Sequence, residues 1–340
     1  MIKYIIKRIL LMIPVLLGVI IVVFSINFLS PVDPINQLVS PDAPIEVKEA
    51  KRAELGLDKP YIVQLYNYVK GIVTKLDLGT SYTTKSPVLG EILYRFPTTF
   101  LLAVLAVALA TIIGIPLGVL AATKRNSVLD YIATFLALIG ASVPSFWLGL
   151  MMIVVFALNL GWLPPSGLDT PLHWIMPVIA ISVFSIATIM RTTRSSMLEV
   201  IRQDYIRTAR SKGIAEKKVI FRHALKNALI PVITIVGMQL AFVMGGVIVL
   251  EAVFQIPGLG SYLKTAIATN DYPAIRGAVL FTAFVMSVAN LLVDVIYAFI
   301  DPRIKSQYVR KKSRTSGPKD DGPEDDGPKA VEANAEGGVA

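Results

Sequence analysis

Six long apolar runs constrain this chain more than any other feature of its sequence. They cover residues 9–29, 98–122, 129–160, 173–190, 230–250 and 277–300. A helix rises about 1.5 Å per residue, so about 20 apolar residues cross the roughly 30 Å hydrocarbon layer of a bilayer. Only 17% of the residues are charged, against about 25% in ordinary soluble domains. The sequence therefore predicts an all-α integral membrane protein with six transmembrane helices.

The first run is predicted to be retained as a transmembrane helix within residues 1–30. Lys3, Lys7 and Arg8 precede the run. It is longer than the roughly 7–15 residues of a signal-peptide core, and no small-x-small cleavage site follows it. We therefore expect an uncleaved membrane anchor at the N-terminus.

The third run contains Pro144 and would be about 48 Å long as one straight helix. Proline removes a backbone donor and clashes with the preceding turn, so a kink or interruption is expected at Pro144. Two other runs carry small residues at four-residue spacing, which either permits close helix approach or reflects how common glycine and alanine are in membrane helices. These residues are Ala110, Gly114, Gly118 and Ala122, then Gly237, Ala241 and Gly245.

The distribution of Lys and Arg predicts the orientation in the membrane. The connection from Arg191 to Asn227 holds ten Lys and Arg residues, whereas GWLPPSGLDTPL holds none. Short basic connections stay on the cytoplasmic side. Both termini are therefore expected in the cytoplasm, and residues 31–97 outside.

The remaining segments complete the predicted organisation. Residues 31–97 are expected to form a small external helical cap, with Asp42 capping a helix through Glu54 and Pro60 in the first turn of another through Val73. Residues 98–300 form the membrane core, including a cytoplasmic hairpin at 196–230. Residues 301–340 form a cytoplasmic tail, disordered from about residue 313, because GPKDDGPEDDGPK cannot bury apolar surface.

The hairpin is the most informative connection. Ser196 to Glu199 has the pattern of a capping box that opens a helix, and Gly213 suits the left-handed position that ends one. A second helix is expected from about Ala215. Such a basic helix pair could rest on anionic lipid headgroups, bind nucleic acid, or dock into a groove on a cytoplasmic protein. Nucleic acid is disfavoured because no aromatic stacking platform accompanies the charge.

Several segments of the chain carry a resemblance to a known family. DYIRTARSKGIAEKKVIFRHALKNALIP resembles the cytoplasmic coupling motif of binding-protein-dependent ABC import permeases, and more narrowly that of the B-type permease subunit of dipeptide and oligopeptide transporters. The similarity covers roughly residues 1–305. It includes IKYIIKRILLMIPVLLGV, LGLDKPYIVQLYNYVKG, LDLGTSY, IPLGVLAATKRNSVLDY, MRTTRSSMLEV, IPGLGSYL, NDYP and NLLVDVIYAFIDPRI.

The chain departs from the general permease motif at two places, and from a second motif after the first span. Arg207-Thr208-Ala209 stands where that motif has Glu-Ala-Ala, and His223 to Lys226 stands where it has Ile-x-Leu-Pro. Both departures are usual in the peptide subfamily. Pro31-Val32-Asp33-Pro34 replaces a widespread Pro-Gly-Asp-Pro, which puts only a local turn in doubt.

The resemblance implies a type I ABC importer permease in a prokaryotic inner membrane, moving di- or oligopeptides by alternating access. It also implies a second homologous permease subunit, two ATP-binding subunits and an external substrate-binding lipoprotein as partners, within membrane lipids. ATP and magnesium would be bound by the ATPase and no cofactor by this chain. The residues expected to couple to the ATPase are Asp204, Arg207, Thr208, Ala209, Lys212, Gly213, His223, Ala224 and Leu225.

The sequence offers no basis for an enzyme. It contains no cysteine, which excludes thiolate metal sites and cysteine nucleophiles. It lacks a Gly-Lys dipeptide, and therefore the phosphate loop of common ATPases. His173 and His223 lie in connections on opposite sides of the membrane, so a shared metal or catalytic site is not expected.

Asp294 supports the alternative function, a self-contained secondary transporter or channel. A carboxylate inside a span is a functional candidate by default, but our preferred interpretation pairs Asp294 with Arg191 or Arg194. Pro257, Gly258 and Gly260 form either an external gate or a plain structural turn. A polar substrate path could use five hydroxyl residues, which could equally be helix contacts: Ser142, Ser145, Ser182, Ser185 and Thr188.

Overall fold

A computed structural model describes residues 2–40 and 42–300 of the chain. Within those ranges every regular element is a helix, and one isolated antiparallel bridge joins Thr80 and Pro87. Five helices are long and apolar enough to span a membrane, and a bent helix pair makes a sixth candidate. The predicted cytoplasmic tail, residues 301–340, lies outside the described residues.

The first span and the segment after it contain four helices. They are α1 (Ile2–Phe28), α2 (Ile35–Leu38), α3 (Ile45–Glu54) and α4 (Tyr61–Lys75). Two helices lie where they were predicted and α3 ends at Glu54, but Pro44 rather than Asp42 precedes α3, and Pro60 precedes α4 instead of lying in its first turn. Tyr61 of α4 packs edge-on against Phe24 and Phe28 of α1, and its hydroxyl lies 2.8 Å from that of Ser25. The segment is therefore anchored on the first span.

The second span, α5 (Val88–Thr123), starts well before the predicted Thr98 and includes both Pro97 and Pro116. Its row of small residues lies against α8 (Leu172–Ile201). A Cβ atom on Gly118 would lie 2.5 Å from Cβ of Thr193, and one on Gly114 would lie 3.0 Å from Ile189. The predicted close approach at these glycines is confirmed.

The third span is broken where Pro144 predicted it. Its halves, α6 (Val128–Ser142) and α7 (Ser145–Met152), meet at an angle of 98°. A π-helical segment, Ile153–Asn159, continues α7. Pro144 is the first residue before α7, and its missing N–H prevents the ladder of α6 from continuing.

The predicted end of the fourth span at Met190 and the predicted helix start at Ser196 are both wrong. Helix α8 continues through Ser196 to Ile201 without interruption. Ser196 does not cap a helix; its hydroxyl donates to the carbonyl of Ala228, 2.9 Å away. Thr193 and Met197 are buried on this extension, and packing therefore overrides the local capping signal.

The rest of the chain forms the hairpin and two further spans. Helices α9 (Asp204–Ser211) and α10 (Glu216–Lys218) flank Gly213. A π-helical segment, Val219–Ala224, leads from α10 into α11 (Leu225–Val253). Helix α12 (Leu259–Ala268) and the span α13 (Tyr272–Ile300) follow. A Cβ on Gly237 would lie 2.4 Å from Val293, so α11 and α13 also approach closely.

Candidate functional site

The turn between α9 and α10 has the geometry predicted for it. Gly213 has a φ of +72°, the left-handed conformation that favours glycine. Its N–H donates to the carbonyl of Arg210, and the N–H of Ile214 donates to that of Ala209. We call residues 204–224 the Gly213 hairpin. A Cβ atom on Gly213 would meet nothing within 4 Å, so the tip is unobstructed.

One side of the Gly213 hairpin is exposed and charged. Asp204, Arg207, Thr208 and Lys212 are exposed there, together with Gly213. Arg210 and Glu216 clamp the turn through two hydrogen bonds of 3.0 and 2.6 Å. That bonding raises the pKa of the Arg210 guanidinium above its usual value. These residues form a preshaped surface that another protein could contact.

The opposite side packs onto the membrane helices. Ile206, Ala209 and Ala224 are buried, and Leu225 packs beside them. Their neighbours include Val119 of α5, Met197 of α8 and Ala228 of α11. Within the predicted coupling set, Ala209 and Ala224 therefore face this chain's own helices. Such packing connects the hairpin with three spans.

The histidines lie apart, as the sequence suggested. His223 is half-buried in the hairpin, and its carbonyl lies 3.4 Å from the side-chain amide of Asn227. His173 lies beside Thr170, with ring nitrogen and hydroxyl 2.9 Å apart. Among the described residues, no group of three or more acidic or histidine side chains could hold a metal ion.

Arg194 forms an ion pair that the sequence analysis missed. Its guanidinium donates two hydrogen bonds, of 2.6 and 2.8 Å, to the carboxylate of Asp130. Asp130 is buried at the start of α6, and its carboxylate also accepts from the backbone N–H of Asn126. The pair joins α6 to α8, the helix that leads into the Gly213 hairpin.

The predicted partner of Asp294 is therefore wrong. Arg194 is engaged by Asp130, and Arg191 is exposed. Asp294 instead lies 3.0 Å from the guanidinium of Arg8. Arg8 lies just before the first apolar run, in α1. The sequence gives no sign that α1 packs beside α13, so this pair could be found only from the fold. The ion pair accounts for the presence of a carboxylate inside this span, so no role in a proton relay is needed to explain it.

We expect Asp294→Asn to weaken the association of α1 with α13 rather than to change cargo. The amide keeps the shape of the side chain but loses its charge. A half-exposed pair of this kind contributes about 1 kcal/mol or less. Thermal unfolding of the purified chain in detergent should show a small loss of stability. The ratio of uptake rates for different cargoes should be unchanged. Abolished transport in a fully assembled, equally stable protein would contradict this.

The predicted external turn is built around a buried carboxyl group. The side chain of Glu251, near the end of α11, is 0% exposed. One oxygen accepts from the hydroxyl of Thr99 at 2.6 Å, and the other from the N–H groups of Gly260 and Ser261 at 2.6 and 3.2 Å. The Thr99 hydroxyl also accepts from the N–H of Leu259. Together these groups cap the first turn of α12.

We call Glu251, Thr99 and the first turn of α12 that they cap the Glu251 latch. Pro257, Gly258 and Gly260 shape its turn. A Cβ on Gly258 would lie 2.2 Å from the Glu251 carboxyl, and one on Gly260 would lie 2.3 Å from Cα of Ile248. The two glycines are therefore required for close approach, which agrees with the tight turn predicted here. In the sequence, the Pro-Gly-x-Gly spacing after Glu251 indicated a tight turn. No sequence feature indicated that Thr99 would bind the Glu251 carboxyl group.

A second buried carboxylate ties the segment between α4 and α5 to α13. Asp271 accepts hydrogen bonds from the backbone N–H groups of Tyr82 and Thr83, both 3.1 Å away, and from the hydroxyl of Ser81. It also lies 3.3 Å from the N–H of Ala274, in the first turn of α13. The loop before α5 is thereby fixed against the last span.

The five hydroxyl candidates for a polar path fall into two sets that share Ser142, whose hydroxyl donates to the carbonyl of Leu138 in its own helix. Ser182 and Thr188 donate to carbonyls of their own helix, those of Ile179 and Phe184. Ser142, Ser145 and Ser185 line one cavity beside the break between α6 and α7. The structure therefore brings three of the five together.

Two family models match the chain. The model described as binding-protein-dependent transport system inner membrane component matches residues 114–306. The model of the N-terminal part of the membrane component of such systems matches residues 1–103. Between them the two matches include the Glu251 latch, the Gly213 hairpin and α1.

Curated relatives match over almost their full length. A dipeptide transport system permease protein of Alkalihalophilus pseudofirmus is 42% identical, with 90% of this chain and 100% of the relative covered. A glutathione transport system permease protein of Pectobacterium atrosepticum is 43% identical, covering 90% and 99%. A putative peptide transport system permease protein of Brucella abortus is also 43% identical, covering 88% and 98%.

Two solved structures share the fold. They are two crystal forms of the MetNI methionine ABC transporter in inward-facing conformations. One has a TM-score of 0.55 at 19% identity and covers 63% of this chain and 97% of its own. The other has a TM-score of 0.52 at 20% identity, covering 62% and 96%. The predicted type I importer permease fold is confirmed by this likeness.

Proposed function

This chain belongs to the family of binding-protein-dependent transport system inner membrane components, and on that premise we propose that it is the permease subunit of an ATP-driven peptide importer. It is a transport subunit rather than an enzyme. The Gly213 hairpin carries the proposal, because it presents an ordered, exposed tip that is packed against three membrane helices. A carrier that works alone needs no such surface.

Peptide cargo is supported by the relatives. Their names refer to dipeptides, glutathione and peptides. Glutathione is itself a tripeptide, so the three names share one chemical class. We therefore propose that this chain moves short peptides inward by alternating access between its spans and those of a partner.

Family membership implies separate ATPase and substrate-binding partners. We further propose that the assembly holds a second homologous permease, two ATP-binding subunits and an external substrate-binding lipoprotein. ATP and magnesium belong to the ATPase in this scheme. The chain is a multi-pass membrane protein, which we place in a prokaryotic inner membrane with both termini in the cytoplasm.

The hairpin surface and the membrane core fit a mechanical role. A movement of a bound ATPase would be applied at Asp204, Arg207, Thr208, Lys212 and Gly213, which are exposed. Packed helices transmit such a displacement as rigid bodies because their interiors resist compression. The buried side of the hairpin would pass it to α5, α8 and α11.

The secondary-transporter alternative is not favoured. It rested on Asp294 as an unpaired intramembrane carboxylate, whereas Asp294 is paired with Arg8. A proton-coupled carrier usually relays charge through several intramembrane acidic or histidine groups. The other two deeply buried carboxyl groups in the described spans, those of Asp130 and Glu251, are saturated by structural hydrogen bonds.

We expect Gly213→Leu to abolish association with the ATPase. Leucine in the left-handed conformation costs about 1–2 kcal/mol, and its side chain would protrude from the tip of the hairpin. The measurement is affinity purification of the tagged chain from gently solubilised membranes, followed by identification of an ATPase that bears a phosphate loop.

Gly161→Leu is the matched control for this experiment. Gly161 has a φ of +62°, and a Cβ atom there, like one on Gly213, would meet nothing within 4 Å. It lies in the connection between α7 and α8, away from the hairpin. Equal backbone strain is therefore introduced at both sites. Retention of the ATPase by Gly213→Leu, or equal loss in both variants, would overturn the proposed docking surface.

A further inference from the structure

A cavity of 270 Å³ lies beside the break in the third span. Its walls come from α6, α7, α8 and α11, and no charged side chain is among its described lining residues. Phe184 and Phe242 stack at one side, with ring centroids 5.4 Å apart. Phe242 is 57% exposed, so the cavity reaches the surface of this chain.

One buried polar side chain lining the cavity lacks a partner. Ser185 is 0% exposed, and its hydroxyl has no hydrogen-bond partner in the described part of the chain. Leaving a buried hydroxyl unpaired is unfavourable. Ser182 and Thr188 on the same helix satisfy their hydroxyls with helix carbonyls. Ser185 is thus available to a molecule in the cavity.

The helix break itself forms part of the cavity wall, through Val143, Pro144 and Ser145. Pro144 has no N–H, so the carbonyl of Gly140 loses its ordinary helical partner. The first turn of α7 has no side-chain cap, and the first N–H groups of a helix have no partner within the helix. Inside a membrane, unpaired backbone of this kind is tolerated where it is buried in protein or lines a cavity.

We propose that this cavity is a subsite for a main-chain amide of the transported peptide. An amide is neutral and carries one donor and one acceptor, which matches the hydroxyl and the backbone groups at the break. The aromatic pair and Leu250 would cover an adjacent apolar side chain. No charged side chain is among the described residues that line the cavity. The cavity would therefore bind the peptide bond that all peptide cargo shares, rather than a charged terminus or a charged side chain.

This subsite rests on the proposed function and makes Gly246 the position to test. Gly246 lines the cavity on α11, and a Cβ there would meet nothing within 4 Å. A side chain added at Gly246 therefore starts in open space at the cavity wall. Gly18 in the middle of α1 has the same open surroundings and lies outside the cavity lining. It provides a matched control.

The first experiment compares Gly246→Met with Gly18→Met in the complete complex. The complex is purified through a tag, reconstituted into lipid vesicles with ATP, and supplied with dialanine, glutathione and pentaalanine. Gly246→Met should lower uptake of every peptide that the wild type transports by about tenfold or more, with subunit composition unchanged. Gly18→Met should transport like the wild type. Wild-type uptake by an assembled Gly246→Met complex would overturn the subsite.

Ser185→Ala tests the hydrogen bond with little change of volume. Loss of one hydrogen bond should lower peptide uptake about fivefold. Ser287→Ala is its control, because the Ser287 hydroxyl donates to the Ala283 carbonyl within α13. Equal uptake in both variants would count against the assigned role of Ser185.

Chemical labelling provides a readout that does not depend on transport rate. The chain has no cysteine, so Gly246→Cys introduces a unique thiol. Transported peptide should slow its reaction with a small methanethiosulfonate reagent. Equal labelling with and without peptide would show a cavity that holds water only, and would overturn the subsite. If the wild-type complex imports none of the three peptides, the proposed function fails; if it imports them while Gly246 variants behave as wild type, only the subsite fails.

Discussion

Gly260→Ala is expected to destabilise the protein by about 3 kcal/mol or more. The added methyl would lie 2.3 Å from Cα of Ile248, and 2.9 Å from a Glu251 oxygen. A backbone atom cannot move aside as a flexible side chain would. The start of α12 must therefore shift, and the bond between the Gly260 N–H and Glu251, now 2.6 Å, is lost.

The loss should extend beyond a single contact. The Glu251 carboxyl joins α11 to α5 through Thr99 and to α12 through Gly260 and Ser261. With α12 displaced, a buried carboxyl group and several N–H groups lose partners, each at a cost of about 1–3 kcal/mol. The measurement is the fraction of purified protein that remains monodisperse in detergent after heating, because unfolding of membrane proteins is often irreversible.

Gly246→Ala serves as the control for this prediction. It lies on the same span, but its Cβ would occupy open space, and alanine is the better helix former by about 1 kcal/mol. Gly246→Ala should therefore be at least as stable as the wild type. Comparable heat resistance of Gly260→Ala and Gly246→Ala would show that the contacts of Glu251 do not hold α12 against α5 and α11.

Asp130→Ala should lower the free energy of unfolding by about 3–5 kcal/mol, the range for removing one partner of a buried ion pair. The side chain of Asp130 is only 3% exposed and accepts both hydrogen bonds from Arg194. Its removal leaves the guanidinium without a counter-charge. Adding Arg194→Met should recover part of the lost stability, because the unpaired charge is then removed as well.

An exposed pair with the same bidentate geometry provides the comparison. Arg210 and Glu216 are 40% and 55% exposed, so Glu216→Ala should cost only about 0–1 kcal/mol. The same heating assay in detergent distinguishes the two changes. A small effect of Asp130→Ala, or no recovery in the double variant, would show that the Asp130–Arg194 pair does not hold α6 against α8.

The Asp130–Arg194 pair also has a consequence for coupling in the proposed importer. Helix α8 leads into the Gly213 hairpin, and α6 ends at the helix break beside the cavity. The pair fixes these two helices to one another near the hairpin. A movement of the hairpin is thereby applied to the broken span.

The sequence by itself determined the helical membrane class, the break at Pro144 and the left-handed turn at Gly213. Each depends on a property that acts locally: the length of an apolar run, the missing N–H of proline, or the conformational freedom of glycine. The family resemblance could also be recognised from the sequence, because the motifs that carry it occur in order along the chain.

The tertiary structure alone decided which polar groups meet. The local signal at Ser196 predicted a helix start, but packing of Thr193 and Met197 keeps α8 continuous. Asp294 was predicted to pair with Arg191 or Arg194, yet helix neighbours place it beside Arg8 and give Arg194 to Asp130. The partners of Glu251 lie 152 positions away at Thr99 and nine away at Gly260. Such pairings depend on which helices are adjacent, and adjacency is set by close packing of the whole core rather than by any local pattern.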